Sequence, residues 1–326
     1  MSDRESGTCY VCGNRQANSR HYPREMMFGL GEVFEYLECG CCACLQITDI
    51  PADLGRYYGG GYYSYKAPKE KRDPAWVLAL RTRRTRALLG EREVVGSLLA
   101  RLSKHRAEHF DWLGRAGVRL DSAILDVGCG SGSLLRQMQR DGFSDLLGID
   151  PFLERDIDYG NGLQILKRQI GELDRRFDFI MLNHSFEHMP DPRQTLQQLR
   201  NALEDRGTLL LRLPVADSHA RRKYGIHWVA WDAPRHLFLY TVRSMHLLAQ
   251  QTAFDVLDVT YDSSRLQFYG SELYLRGIAF KDQKPYTPGN GPKAFTQQEW
   301  DYFAERAAEL NTDRDGDTAC FFLRPA

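Results

Sequence analysis

The residues able to do chemistry fall into three groups, and the first is a run of alternate glycines. Ile124-Leu125-Asp126-Val127-Gly128-Cys129-Gly130-Ser131-Gly132 passes from β-forming apolar residues through an acid into the glycines, and an amphipathic segment follows. A short apolar run is the pattern of a buried parallel strand. Glycines at its end let the backbone turn and approach a ligand where a Cβ would collide. The next segment opens a helix, whose first turn presents free amides. A dinucleotide fingerprint needs G-x-G-x-x-G, but these glycines run G-x-G-x-G, with Ser133 at the sixth place. Asp126 would repel a pyrophosphate and suits a ligand carrying an ammonium group.

The second group is cysteine. Cys9, Cys12, Cys39, Cys41, Cys42 and Cys44 cluster near the start, leaving only Cys129 and Cys320 elsewhere. In a reducing compartment such clustering favours metal over disulfides. Cys9-x-x-Cys12 followed by Gly13 folds into a knuckle whose two thiolates face one ion, and a second pair completes a closed, structural zinc site. Cys39 and Cys42 are favoured, because Ala43 then takes the small-residue place that Gly13 takes after Cys12; Cys41 and Cys44 have the same spacing and stay open.

The third group is acid and imidazole. Residues 177–182 read as a strand that ends in Asn183-His184-Ser185-Phe186-Glu187-His188. Histidine titrates near neutrality, which suits a general base, so His188 or His184 is a candidate to accept a proton, with Glu187 orienting it or acting itself. An irregular insertion over 216–240 adds His227, Trp228, Trp231, Asp232, Arg235 and His236. Loops of that length are often functional. His236 is a second acid/base candidate there and Arg235 an anion ligand, while packing of the two tryptophans in the core is an equal reading.

These groups need a scaffold. Strands at 124–127, 145–150, 163–166, 177–182 and 207–214 alternate with helical segments, the pattern of a right-handed parallel α/β sheet. Ligands bind such sheets at the carboxyl ends of their strands. Residues 254–261, and 266–269 with 273–275, read as two closing strands. The division is a zinc ribbon at 1–50, a tyrosine-rich linker and helical lid at 51–120, the main domain at 121–280, and an extension at 281–326 without functional reading. Tyr57, Tyr58, Tyr62, Tyr63 and Tyr65 crowd the linker as ring packing or a lid, and the arginine-rich run from Arg81 to Arg86 reads as a solvated helix face.

Composition sets bounds. The 326 residues are 43% apolar and 26% charged, with 43 basic against 43 acidic side chains, so no global field favours nucleic acid. No apolar stretch reaches the roughly 20 residues that span a bilayer, and the polar start has no signal core. A cytoplasmic enzyme acting on a small molecule, with neither nucleic acid nor membrane as partner, is the expectation; oligomeric state has no signature.

The glycine loop, and the F-D…H-x-x-E-H-x-x-D-P run with Phe186 where leucine is usual, resemble the class I S-adenosylmethionine-dependent methyltransferases. The resemblance implies a doubly wound, mostly parallel, seven-stranded Rossmann-like sheet closed by an antiparallel strand, with S-adenosylmethionine as cofactor. It makes Asp150 the acid for the ribose hydroxyls and Gln169 with Ile170 the pair flanking adenine. Cys129, Pro151 and Asn183 join Asp126, Gly128, Gly130 and Gly132 in the expected cofactor set. Ribbon, linker and E-H loop together look like bacterial enzymes that C- or O-methylate sugars or other small metabolites. The alternatives are a zinc-ribbon RNA methyltransferase and a non-catalytic interaction module on the same fold.

Overall fold

The computed structural model describes residues 7–58, 73–103, 107, 109–282 and 294–326. Three short strands, β1 (Ser19–His21), β2 (Tyr36–Glu38) and β3 (Leu45–Ile47), accompany the cysteines. Helices α1 (Ala75–Leu88), α2 (Val94–Leu102) and α3 (His109–Arg115) come next. The alternating core follows as β4 (Ala123–Val127), α4 (Ser133–Arg140), β5 (Asp145–Ile149), β6 (Ile157–Asp158) and β7 (Gln164–Leu166). It continues as β8 (Phe177–Asn183), α5 (Pro192–Ala202) and β9 (Leu203–Pro214). The insertion carries α6 (His219–Tyr224) and β10 (Phe238–Leu239). Last come α7 (Val242–Gln251), β11 (Phe254–Tyr261), α8 (Leu266–Leu275), α9 (Gln297–Thr312) and β12 (Thr318–Pro325).

The main sheet runs β11-β12-β9-β8-β4-β5-β7-β6. Its centre is parallel, and its strands are apolar on both sides. Along β8, Ile180 and Leu182 enter the core on one face while Phe179 and Met181 enter the core on the other. Leu125 and Ile124 divide the same way along β4. Two buried faces demand a continuous apolar run, which is why these strands were legible without alternation.

Two expectations are corrected. The sheet has eight strands rather than seven, because β6 pairs antiparallel with β7 at the edge. Gly160, Asn161 and Gly162 all take positive φ in the connecting turn, and Asp158 Oδ1 accepts a bond of 2.7 Å from the Gly160 amide. The larger correction concerns closure. Residues 266–275 form α8, not a strand: Gln267, Phe268, Gly270, Ser271 and Tyr274 are its buried side, at helical spacing. A Cβ on Gly270 would stand 2.6 Å from Val229 Cγ2, so the glycine serves close helix packing. The antiparallel strand is instead β12, inserted between β9 and β11. Thr318-Ala319-Cys320-Phe321-Phe322-Leu323 is buried throughout, as the slot between two covered faces requires.

A second, antiparallel sheet runs β1-β2-β3-β10. Its fourth strand belongs to the insertion, so the N-terminal strands and the segment after His236 share one hydrogen-bonded layer. No helix among the described residues is long and apolar enough to cross a membrane.

Candidate active site

The glycine loop leaves β4 with φ of +76° at Gly128, +55° at Gly130 and +74° at Gly132. At two of these positions space is also closed. A Cβ on Gly128 would stand 2.5 Å from the Ser185 Cβ, and one on Gly132 would stand 2.4 Å from Ile165 Cδ1. Gly132 then opens α4. Asp150, at the end of β5, accepts bonds from the amides of Gly130 (3.0 Å) and Phe152 (2.9 Å), so it fixes the loop from the neighbouring strand. Asp126 is buried beside it. Burial first, and then the charge of Asp150, push the Asp126 carboxyl up to about 7, while burial raises Asp150.

The other expected cofactor residues lie along the same edge. Cys129 is half-buried in the loop and Pro151 exposed after β5. Gln169 caps the 3-10 turn Ile170–Glu172 beyond β7, with Ile170 buried. Asn183 ends β8, and its Oδ1 accepts from Arg212 at 3.0 Å. The strand order β8-β4-β5-β7 thus brings all of these residues to four neighbouring strand ends. Positive-φ glycines with no room for side chains, free helical amides and two buried acids fit a cationic nucleoside cofactor.

Ser185 joins this half of the site to the next: its Oγ donates to the Val127 carbonyl at 2.8 Å. The 3-10 turn Phe186–His188 follows at once. Glu187 is fully buried, and neither carboxylate oxygen accepts a hydrogen bond. The nearest ring nitrogens are His184 Nδ1 at 3.4 Å and His236 Nε2 at 3.8 Å. Burial alone would raise this carboxyl, but the surrounding His184, His188 and His236 hold it down at about 2. His188 is pushed the other way, below the usual imidazole value, by burial and then by His236. Its Nδ1–H donates to the Arg235 carbonyl (2.8 Å), and that of His236 to the Ala230 carbonyl (2.8 Å). The two rings sit 4.8 Å apart, edge to face. All four acid/base candidates therefore converge; His184 is the exposed one, in a left-handed backbone conformation.

The insertion departs from its sequence reading. Arg235 is completely buried and spent internally, on Asp232, on Glu25 at 3.3 Å and on the Tyr57 carbonyl at 2.7 Å. It is a bracing residue, not an anion ligand, because no donor faces outward. Trp228 and Trp231 are core residues whose indoles donate to Asp317 (2.9 Å) and to the Gly225 carbonyl (2.8 Å). Tyr58 has its hydroxyl 3.2 Å from His188 Nδ1, whereas Tyr62, Tyr63 and Tyr65 lie outside the described residues. Arg81, Arg83 and Arg86 on α1 pair with acids of this chain. Ser185 and Glu25 carry no signal in the sequence, since no local spacing marks a contact made across the fold; Asp232, four residues before His236 and 3.7 Å from it, could have been found from that spacing.

Near the N-terminus, Cys9, Cys12, Cys39 and Cys42 bring their sulfurs within 4.8 Å of one another. The closest approaches are 3.6 Å for Cys9–Cys42 and 3.4 Å for Cys12–Cys39. Four sulfurs about 2.3 Å from a tetrahedral zinc stand about 3.8 Å apart, so the donor set fits. The knuckles are alike. The amides of Gly13 and Ala43 each donate at 2.9 Å to the carbonyl of the first cysteine of their pair, with φ of +71° and +56°. Cys41 is exposed and Cys44 buried outside the cluster. The ribbon also touches the site. Tyr36 donates to the His236 carbonyl (2.7 Å) and Thr241 to the Cys42 carbonyl (2.7 Å), and the Leu237 amide donates to the Glu187 carbonyl at 2.9 Å.

Comparison with known proteins gives the family. A family model described as a methyltransferase domain matches residues 90–259, just over half of the chain. Two curated relatives are named tRNA U34 carboxymethyltransferase. That of Alteromonas mediterranea is 29% identical over 109 residues, covering 29% of this chain and 33% of the relative. That of Aeromonas salmonicida is 38% identical over 105 residues, covering 29% and 32%. The chain thus spans about a third of the length of the curated relatives it matches. Among solved structures, a SAM-dependent methyltransferase from Archaeoglobus fulgidus aligns with a TM-score of 0.38 and 12% identity, over 68% of this chain and all of that one. The expectation of a small-molecule acceptor without nucleic acid is corrected by the curated relatives, which are named for tRNA. A balanced total charge averages over the whole surface and does not exclude a local nucleic-acid site. With the glycine loop, the strand order and the family match in agreement, the chain belongs to the methyltransferase domain family and is an S-adenosylmethionine-dependent methyltransferase.

Proposed function

We propose that this enzyme methylates RNA, with the cofactor on the loop 126–132 and the acceptor at Glu187, His188 and His236. The observation that carries the reading is the contact of Gly128 with Ser185, which sets the cofactor loop two residues from Glu187. When bound, S-adenosylmethionine supplies an electrophilic methyl group. The loop amides, Asp126 and Asp150 bind and orient its polar ends, and Ile170 packs beside the adenine. Glu187, His188 and His236 orient the acceptor and remove its proton, with His184 at the rim. Catalysis is then mainly positioning of the nucleophile in line with the transferred carbon. The tRNA-named relatives support RNA as the acceptor class. Cys9, Cys12, Cys39 and Cys42 hold a structural zinc in this reading, and a closed four-thiolate shell leaves that ion no position for substrate.

The test is incubation with bulk tRNA and S-adenosylmethionine, followed by mass analysis of the digested nucleosides. A new methylated nucleoside, absent with Glu187→Gln, is expected. Cofactor binding without any modified nucleoside would remove RNA as the acceptor.

A further inference from the structure

Glu187 is an anomaly that acid/base chemistry alone does not explain. It is fully buried, and neither oxygen accepts a hydrogen bond; leaving a buried acceptor unsatisfied is costly, and more so for a charged one. Its neighbours differ. Glu25, equally deep, and the partly buried Asp232 both share the Arg235 guanidinium, whereas the ion-pair contacts of Glu187 among the described residues are imidazoles only, at 3.4 and 3.8 Å.

The same carboxylate lies with His188 and His236 such that one oxygen and one ring nitrogen from each imidazole are within 4.8 Å of one another. Those separations are long for hydrogen bonds. The 3.8 Å between His236 Nε2 and Glu187 Oε1 is a spacing of two ligands on one cation, since donors about 2.1 Å from a metal stand roughly 3 to 4.2 Å apart. The imidazoles are prepared for this role. Each gives its Nδ1–H to a backbone carbonyl, at 2.8 Å, which leaves Nε2 with the lone pair. A hydrogen bond from the second ring nitrogen is the usual support of a metal-binding histidine. His236 Nε2 is the atom that faces Glu187.

We propose that Glu187, His188 and His236 bind a divalent transition-metal cation whose open positions take an oxygen or nitrogen atom of the acceptor. Two imidazoles with one carboxylate suit manganese, iron, cobalt or zinc better than magnesium or calcium. Three protein ligands leave the shell open, in contrast to the four-cysteine cluster. The inference rests on the methyltransferase reading of the site and deepens it: the cation would polarise the acceptor's O–H or N–H bond, and the proton would leave past the exposed His184 to water rather than to a ligating imidazole.

The experiment uses the full chain, stripped of loosely held ions and titrated with Mn2+ while electron paramagnetic resonance reads the free ion. Hard Mn2+ does not compete for a thiolate site. One Mn2+ per chain is expected in the wild type. It should bind at least about tenfold more weakly in Glu187→Gln and in His236→Asn, whose amide retains the bond to the Ala230 carbonyl. Glu187→Gln should also lose the Mn2+-induced increase in melting temperature that the wild type shows. Equal Mn2+ affinity in the wild type and both variants overturns the proposal. Calorimetry with S-adenosylmethionine separates the two readings. Cofactor binding without Mn2+ binding sinks the metal site alone, and Mn2+ binding without cofactor binding sinks the methyltransferase assignment of the site alone.

Discussion

The two halves of the proposed active site are built in opposite ways. The cofactor half is local: Asp126, the glycines and Asp150 occupy two adjacent strands, and the loop is held by hydrogen bonds to Ile149 and Asp150. The acceptor half is assembled at a distance. Glu187 and His188 follow β8, His236 comes from the insertion, and the insertion is paired to β3 of the ribbon. The first half needs only the sheet. The second needs the ribbon docked, so damage to the ribbon should reach the chemistry without reaching the cofactor.

Four measurements would break or sharpen that division. The largest effect is expected from Glu187→Gln, with turnover on tRNA falling about 10²- to 10⁴-fold and the cofactor Kd staying within about threefold. A comparable loss of cofactor binding would mean that the halves are not separable. Next is the ribbon. Metal in such a small cysteine site contributes on the order of 10 kcal/mol to folding, so Cys39→Ser should abolish stoichiometric zinc by elemental analysis. Misplacing His236 by about 1 Å should then cost roughly 10²-fold in turnover, with calorimetric cofactor binding retained. Loss of zinc with full turnover would refute the coupling.

The cofactor half is probed in reverse. Gly128→Ala forces a side chain into a positive φ and against Ser185, and should weaken cofactor binding about 10- to 100-fold, or about 1.4 to 2.8 kcal/mol. Titration of Asp126 gives a smaller, graded effect. Its carboxyl, pushed up to about 7, lies above the ordinary aspartate value of 3.8, so the folded state binds the extra proton. Stability from this group is complete below about pH 4 and is lost as pH rises through about 7. A cationic ligand prefers the ionised form, so cofactor affinity should rise between about pH 6 and 8, with proton release on binding. Asp126→Asn should flatten that rise; an unchanged slope would acquit Asp126.

Much of the cofactor half was legible because its information is contiguous. Period, glycine spacing and strand-end acids sit within one stretch, and the physics that reads them is local: positive φ, close approach, burial on two faces. The knuckles were legible for the same reason, even to Ala43 taking the conformation of Gly13. The closing strand was not. An apolar run suits either a helix or a strand, and the close approach of Gly270 to Val229 that goes with the helix is a contact across the fold. The slot between β9 and β11 went to residues 318–325, which the sequence left without a role.

By itself, then, the sequence determined the strand–glycine–helix corner, the acid at Asp150 and the paired cysteines, because each follows from residue type at short spacing. Only the tertiary structure decided that Arg235 is spent on Asp232 and Glu25. Only it brought His236 to Glu187, 49 positions away in the chain. Whether a buried charge is satisfied depends on what the rest of the fold places beside it, and spacing along the chain does not encode that.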